Sequence, residues 1–208
     1  GYMKPVSGSP RATGSDLIDL DAAFMRRTFD LDADPERLVP ISLTDSLVDG
    51  ELARLGQDGE EAGTGPLETI RSAYETLGEG HDVLILEGAG DLAEGGLLGV
   101  SGPSLATALE LPALVVAPYD GRLTGDRLLL AQRVLGDQMI GGVINAVPER
   151  QVDLLRERVV PLLASRGVRV LGMIPRRRLL GGATVRELAE QIGGELLVGE
   201  EFEERLVE

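Results

Sequence analysis

The sequence predicts an α/β fold with a mostly parallel sheet and helices on both of its faces. Uninterrupted apolar runs of strand length, such as Val83–Leu86, Ala113–Ala117 and Met139–Ile144, recur in the second half of the chain. Amphipathic segments of helical length, Asp126–Leu135 and Gln151–Arg166, alternate with them. Strands that are apolar along their whole length and alternate with helices are typical of a parallel sheet that is covered on both sides.

The first elements of the chain are shorter. Gly1–Val6 is predicted to be a strand that runs into a Ser/Gly turn. A helix is expected next, with Ser15 or Asp16 as its N-cap, because apolar residues recur after them at helical spacing. Leu38–Leu43, around Pro40, is predicted to be a short extended piece.

Two segments ahead of the first long apolar strand differ in composition. Asp45–Gly65 is rich in glycine and acidic residues, which predicts a mobile surface excursion. Leu67–Leu77 has apolar residues at helical spacing and is predicted to be a helix. After it, strands and helices alternate through a short helix near Ser104–Leu109 as far as a last strand, Val168–Ile174.

The end of the chain is predicted to begin a further module. A helix, Val185–Ile192, is followed by two glycines and a short strand, Leu196–Val198. These elements continue past the predicted sheet and do not repeat its alternation.

Composition excludes several classes of function. The chain has 208 residues and a formal net charge of −15, so we expect neither nucleic acid nor an anionic membrane as a partner. No apolar run approaches the length that crosses a bilayer. Cysteine is absent, which excludes disulfides and thiolate metal sites. No charged-then-apolar leader begins the sequence, and a cytoplasmic location is therefore expected.

Ligands of an open parallel sheet gather at the carboxyl ends of its strands, which directs attention to Glu87. Glu87 follows Val83–Leu86 and is followed by Gly88 and Gly90. P-loop proteins place an acid in such a position beside the Mg²⁺ of a nucleotide, and glycines let phosphate approach the backbone. On spacing alone, the simpler interpretation is that Glu87 is the first polar residue after a buried strand.

Two further polar residues lie at or near predicted strand ends. Asn145 follows Met139–Ile144, and its amide is able to pair with adenine. Read in isolation, Asn145 is better explained as a residue that closes the strand and starts a turn. Lys4 precedes the Ser/Gly turn and is able to reach a phosphate or a carboxylate, although an ordinary surface lysine is the alternative.

Two aspartates in the first predicted helix are candidate metal ligands. Asp19 and Asp21 carry the hard oxygen atoms that suit Mg²⁺. The alternative is ordinary acidic decoration near a helix N-terminus, where the helix dipole favours negative charge.

Five ordered segments resemble dethiobiotin synthetase and its relatives. They are Gly-Tyr-Met-Lys-Pro-Val at 1–6, Asp-Ala-Ala-Phe-Met at 21–25, Val-Leu-Ile-Leu-Glu-Gly-Ala-Gly at 83–90, Gly-Gly-Val-Ile-Asn-Ala-Val-Pro at 141–148 and Val-Leu-Gly-Met-Ile-Pro at 170–175. The chain is most similar to the dethiobiotin synthetase-like domain that begins many bacterial phosphate acetyltransferases. The resemblance implies a P-loop NTPase-like fold that binds ATP and Mg²⁺.

The resemblance also implies roles for single residues. Lys4 matches the lysine that lies near the phosphates and the substrate, which makes it the candidate catalytic residue. Asp21 matches a metal ligand, and Glu87 matches the acid of the Glu-Gly-Ala-Gly segment. Asn145 matches the asparagine that reads adenine. The nucleotide-binding set is Lys4, Glu87, Gly88, Gly90, Asn145 and Pro175, and the metal set is Asp19, Asp21 and Glu87.

Two departures from the family pattern affect the interpretation. The family carries a Gly-x-x-x-x-x-Gly-Lys-Thr/Ser loop ahead of the Lys-Pro strand, so we expect that loop to precede Gly1 in a longer gene product. The alternative is that the protein has lost nucleotide hydrolysis. The turn after the first strand is Ser7-Gly8-Ser9 rather than Ala-Ser-Gly, which argues against biotin synthesis. The tail resembles the start of a DRTGG-type regulatory domain, and we therefore divide the chain into domains at 1–180 and 181–208.

The leading hypothesis is an ATP- and Mg²⁺-binding P-loop domain that acts in ATP-dependent carboxylate or carbamate activation, or in nucleotide sensing. A non-catalytic regulatory module associated with phosphate acetyltransferase, in acetyl-phosphate metabolism, is the main alternative. True dethiobiotin synthetase is a further one. A small carboxylate or acyl substrate and a homodimer complete the expected partners.

Overall fold

The computed structural model describes residues 1–13, 16–58, 64–177 and 183–207. Helices alternate with short strands in these ranges, and three of their strand pairs are parallel. The predicted α/β class is therefore confirmed. In the same ranges, no helix combines the length and the apolar character that crossing a bilayer requires.

The chain forms two compact units. The first comprises Gly1–Ala113 and Arg133–Met139, and the second comprises Leu114–Gln132 and Ile140–Glu208. The predicted domain division between 180 and 181 falls outside the described residues and stays a prediction.

The strands are β1 (Tyr2–Met3), β2 (Val6–Ser7), β3 (Arg11–Thr13), β4 (Asp16–Ile18), β5 (Ile41–Ser42), β6 (Ile85–Leu86), β7 (Ala113–Pro118), β8 (Met139–Val147), β9 (Val170–Pro175), β10 (Ala183–Thr184) and β11 (Leu206–Val207). The helices are α1 (Leu20–Thr28), α2 (Pro35–Leu38), α3 (Asp45–Asp58), α4 (Thr64–Gly78), α5 (Gly102–Ala108), α6 (Thr124–Leu135), α7 (Val152–Leu154), α8 (Val160–Ala164) and α9 (Val185–Ile192), with a π-helical segment, Leu155–Val159, joining α7 to α8.

The first seven residues pair with two different strands. β1 runs parallel to β6, with Met3 opposite Leu86, and β2 runs parallel to β5. Between them, the Lys4 backbone N–H donates to the Leu38 carbonyl at 2.8 Å. Pro5 has no backbone N–H and cannot donate a hydrogen bond to a neighbouring strand. The chain therefore changes its partner strand, from β6 to β5, at a residue that could not donate to either. Of the predicted strand 83–86, only Ile85 and Leu86 are paired.

Side chains from β1 and β2 form the centre of the first unit's core. Met3 and Val6 are almost fully buried and pack in a cluster with Ile70 of α4 and Leu98. The Tyr2 ring belongs to a separate cluster, with Ala22, Leu38 and partly buried neighbours. Successive residues of a strand point to opposite faces, which explains why Tyr2 and Met3 enter different clusters.

The first helix begins later than predicted. The Asp19 carboxylate accepts from the Ala22 N–H and is the N-cap of α1, which starts at Leu20. Asp16 instead lies in β4, which pairs antiparallel with β3. Ser15, the other predicted cap, lies outside the described residues. The hairpin that delays the helix depends on pairing between two short segments, which helical spacing does not reveal.

The prediction of a surface excursion at 45–65 is wrong for 45–58, which is the helix α3, and for 64–65, where α4 begins, whereas 59–63 lie outside the described residues. The Thr44 hydroxyl accepts from the Leu47 N–H and caps α3. Leu47 and Val48 pack partly against the core of the first unit. Apolar contact of this kind stabilises a helix despite an internal glycine, Gly50. The predicted helix at 67–77 lies within α4.

The second unit is built on a three-stranded sheet with the order β7-β8-β9. β9 is parallel to β8, and Pro175 lies opposite Val147. Gly142 permits close packing of α6 on this sheet, because a Cβ there would lie 2.5 Å from Leu128 Cδ2. Gly142 in β8 is thus required for this packing.

The tail of the second unit contains α9 at the predicted bounds. β10 and β11 flank it and pair antiparallel. The predicted strand at 196–198 is wrong, since those residues have no strand partner and the strand lies at Leu206–Val207 instead.

Candidate functional site

Lys4 is the only lysine of the chain, and it is buried in the first unit. Its side chain is 9% exposed. Burial of an ammonium is costly unless opposite charges and hydrogen bonds compensate for lost water. The interpretation of Lys4 as an ordinary surface lysine is therefore wrong.

Three carboxylates surround the Lys4 ammonium. Lys4 Nζ lies 2.6 Å from Asp21 Oδ2, 3.1 Å from Asp19 Oδ2 and 3.9 Å from Glu87 Oε1. Burial by itself lowers the pKa of Lys4, but hydrogen bonds to Asp21 and Asp19 and their charges raise it above the usual value overall. Lys4 thus stays positively charged at neutral pH.

Asp19 is the structural anchor of this cluster. Its Oδ1 accepts from the Ala22 N–H at 3.0 Å, and its Oδ2 accepts from the Ser7 hydroxyl at 2.6 Å. Burial acts to raise the pKa of Asp19, but the bonds from Ser7 and Ala22 and the neighbouring Lys4 lower it overall. Both carboxylate oxygens of Asp19 already have partners in the protein, and Asp19 holds Lys4 in position. The role of Asp19 as a metal ligand stays a prediction.

Asp21 lies in the first turn of α1 and faces solvent. Its side chain is 65% exposed, although one oxygen contacts Lys4. A helix begun by Asp19 necessarily places Asp21 within one turn of it, so the two aspartates approach the same lysine. Asp21 is the member of the cluster that a ligand from solvent meets first.

Glu87 is held by the same strand that carries Lys4. Its backbone N–H donates to the Met3 carbonyl at 2.8 Å, which continues the β1–β6 ladder. The Tyr2 hydroxyl donates to Glu87 Oε2 at 2.7 Å. The Glu87 side chain is 39% exposed, and its Oε1 faces Lys4. The simpler interpretation of Glu87, as merely the first polar residue after a strand, does not explain these contacts.

The arrangement suits Mg²⁺ bound together with phosphate. In the described residues, no group of three or more His, Cys, Asp and Glu side chains is arranged to enclose a metal ion. Mg²⁺ in nucleotide sites usually takes one or two carboxylates and completes its shell with phosphate and water. Asp21 and Glu87 are both exposed to solvent and would supply the one or two carboxylates that such a Mg²⁺ ion needs.

The AAA domain family matches residues 1–184 of the chain. The chain belongs to this family. The match covers most of the 208 residues, and with the parallel strand pairs it confirms the predicted P-loop NTPase-like fold, related to dethiobiotin synthetase-like domains.

A phosphate acetyltransferase from Pseudomonas putida is similar to this AAA domain. The two are 27% identical over 221 aligned residues, which cover 99% of this chain and 29% of the relative. The chain therefore spans less than a third of that protein's length. The predicted likeness to phosphate acetyltransferases is confirmed at this level, and the likeness of the tail to a DRTGG-type domain stays a prediction.

Glycines of the AAA domain leave room beside Glu87. A Cβ on Gly88 would meet no atom within 4 Å, so the backbone there is open to approach. A Cβ on Gly90 would lie 3.5 Å from Glu94 Oε2, and one on Gly8 only 1.4 Å from Glu94 Oε1. Glu94 therefore lies against the Ser7-Gly8-Ser9 turn and close to the Gly88–Gly90 loop.

Asn145 and Pro175 lie on neighbouring strands of the second unit, Asn145 within β8 and Pro175 at the end of β9. Asn145 is exposed, its Oδ1 accepts from the Ala146 N–H at 2.8 Å, and its carbonyl accepts from the Tyr119 N–H. Pro175 ends the adjacent strand. β8 continues through Asn145 to Val147, so the interpretation that Asn145 closes the strand is wrong. Its contact with adenine stays a prediction, as does the nucleotide contact of Pro175.

Sequence reasoning missed two contributors to the cluster, Tyr2 and Ser7, and it also missed Glu94, which lies against the neighbouring turn. Tyr2 stands two residues before Lys4, and the period of a strand puts both side chains on one face, so Tyr2 had a usable signal. Ser7 and Glu94 had none, because their contacts depend on how distant segments meet.

Proposed function

We propose that this AAA domain binds ATP with Mg²⁺ and that Lys4, Asp19, Asp21 and Glu87 form the phosphate and metal end of the site. One observation carries the proposal: a single buried ammonium lies among three carboxylates, two of them open to solvent. P-loop proteins bind nucleoside triphosphates with a lysine of the phosphate loop and an acid at the metal. Lys4 follows the expected loop and would add a further positive charge beside the phosphates.

The charge of the cluster implies that binding depends on the metal. Three carboxylates outnumber the one ammonium, so free ATP would meet a net negative field. Mg²⁺, when bound, supplies the positive charge that balances the carboxylates and the phosphates. Asp21 and Glu87 would hold it, while Lys4 binds and orients the terminal phosphate.

The remaining residues complete the proposed site. Asp19 keeps Lys4 charged and in place, and Gly88 and Gly90 let phosphate approach the backbone. The contact of Asn145 with adenine and the nucleotide contact of Pro175 are separate proposals for the second unit. The reaction class that suits a bound triphosphate and a lysine is activation of a small carboxylate, acyl or carbamate group by phosphoryl transfer, in which Lys4 would orient the phosphoryl group that is transferred. A homodimer remains part of this proposal.

Calorimetry on the complete gene product tests the proposal. We expect ATP to bind with Mg²⁺ present and to bind much more weakly with EDTA. Glu87→Gln should reduce Mg²⁺-dependent binding by about tenfold or more, since a charged metal ligand is lost. Glu75→Gln, an exposed glutamate of α4, is the matched control and should bind as the wild type does. Equal affinity of Glu87→Gln and wild type would reject the role of Glu87.

A regulatory module is the second candidate, and one finding favours it. The relative is a phosphate acetyltransferase of which the chain matches only 29%, so an attached or partner enzyme would carry the chemistry. The segment formed by β10, α9 and β11 resembles the start of a DRTGG-type domain, which also supports a regulatory function. Phosphate release distinguishes the two: ATP binding without turnover, with or without added small carboxylates, favours regulation.

A further inference from the structure

We propose that Tyr2 is a positioning residue, which holds Glu87 so that one chosen carboxylate oxygen is left for the ligand. This inference rests on the proposed function, because it assigns Tyr2 a part in the same site. The residue is not among those that the family resemblance or the strand-end pattern selects.

The Tyr2 side chain is fixed in the core of the first unit. Tyr2 is 5% exposed, and its ring is fixed among Ala22 and Leu38. From that fixed ring, the hydroxyl donates to Glu87 Oε2 at 2.7 Å. Residues 2 and 87 are far apart in the chain, so the bond exists only because β1 and β6 pair in this register.

Glu87 is held at two points by the same strand. Its backbone N–H binds the carbonyl of Met3, and its side chain binds the hydroxyl of Tyr2. A glutamate has three rotatable side-chain bonds, and ordering them costs entropy. A rigid aromatic donor reduces that cost before any ligand arrives.

The two carboxylate oxygens of Glu87 have different surroundings. Oε2 is occupied by Tyr2, whereas Oε1 lies 3.9 Å from Lys4 Nζ, beyond hydrogen-bond length. A cation or a water molecule can therefore bind Oε1 without breaking the Tyr2 bond.

Tyr2→Phe removes the hydroxyl and keeps the ring. We expect it to raise the Mg²⁺ concentration needed for ATP binding by about tenfold, the usual effect of losing a partner that orients a metal ligand. Tyr74→Phe, a partly buried tyrosine of α4 in the same unit, is the matched control and should leave Mg²⁺ dependence unchanged. Thermal unfolding of both variants identifies any general loss of stability.

A double-mutant cycle on the complete gene product decides between positioning and a merely structural role. If Tyr2 acts through Glu87, Tyr2→Phe has its effect on Mg²⁺ dependence in the wild type and no further effect in the Glu87→Ala background. Equal effects in both backgrounds, or none in the wild type, would overturn the inference. Failure of the wild type to bind Mg²⁺ and ATP at all would reject the proposed function and this inference together. A Tyr hydroxyl proton resonance that Glu87→Ala abolishes would then still report the bond itself.

Discussion

Lys4 Nζ lies 2.6 Å from Asp21 Oδ2, yet the two side chains differ greatly in exposure, with 9% of the lysine and 65% of the aspartate open to solvent. The pair therefore connects the interior of the first unit to its surface. Asp19, on the buried side, keeps the ammonium charged, and Asp21 is the exposed partner of the same ammonium.

Loss of the buried cation should destabilise the first unit. Lys4→Met keeps most of the side-chain volume but leaves Asp19 buried without its partner, and we expect a loss of about 3 kcal/mol in the free energy of unfolding. Urea denaturation measures it. Arg37→Met, at an exposed position of α2, is the control and should change stability by less than about 0.5 kcal/mol. Equal stability of Lys4→Met and wild type would mean that Lys4 is not buried with Asp19.

The contribution of Asp19 to stability should depend on pH in one direction only. Its folded-state pKa is lowered, so its contribution is present above the unfolded value, about 4, and is lost as the pH falls through the folded value. Asn is also a good N-cap, so Asp19→Asn removes the charge and keeps the cap. We expect the stability difference between wild type and Asp19→Asn to stay constant between about pH 5 and 9 and to shrink below about pH 4.

Urea midpoints over that pH range provide the measurement. Asp34→Asn, at the exposed N-cap of α2, is the control and should show a much smaller difference. A difference that widens on acidification would contradict the assignment, since a protonated Asp19 resembles the asparagine. The pKa of Lys4 is raised, so Lys4 affects stability at high pH. Its contribution to the free energy of unfolding is present below about pH 10 and is lost only as the pH rises through the pKa of the folded state.

Much of the cluster followed from strand-end reasoning. Glu87 ends an apolar strand and Lys4 precedes a turn, and parallel pairing of β1 with β6 brings them together in the first unit. The hydrogen bond between Tyr2 and Glu87 could not be predicted in the same way. It depends on the register between segments about 80 residues apart, which local periodicity does not determine.

The errors in the first half of the chain have a similar origin. Helical spacing after Asp16 suggested an early helix, but that residue pairs with β3 and the cap is Asp19. Glycine and acid content suggested a loop at 45–58, but contacts of Leu47 and Val48 with the core stabilise a helix there. In both cases tertiary contact overrides local composition.

Glycine at position 8 should matter because of one side chain. An added Cβ would lie 1.4 Å from Glu94 Oε1, the flexible end of a long side chain, so Gly8→Ala should cost no more than about 1 kcal/mol of unfolding free energy. That cost should largely disappear in the Glu94→Ala background, as urea denaturation of the four proteins would show. Gly88→Ala, where the space is open, is the control. An unchanged cost without Glu94 would place the conflict elsewhere.

In the second unit, Gly142→Ala should destabilise the sheet. The new Cβ would lie 2.5 Å from Leu128 Cδ2, and overpacking of this kind costs about 1–3 kcal/mol. Gly172→Ala, on the neighbouring strand, would meet nothing within 4 Å and is the matched control. Thermal or urea unfolding compares the two variants, and equal stabilities would show that α6 does not pack closely on β8.

The most direct test of the proposed metal and phosphate site observes the Lys4 side chain by NMR in the complete gene product. Lysine labelled with ¹⁵N at Nζ or ¹³C at Cε makes this side chain visible, and the signal that disappears in Lys4→Arg is the Lys4 signal. With ATP present, Mn²⁺ in place of Mg²⁺ should broaden the Lys4 signal strongly, and excess Mg²⁺ should restore it. A Lys4 signal that stays sharp while ATP and Mn²⁺ are shown to bind would contradict the assignment of the cluster as their site.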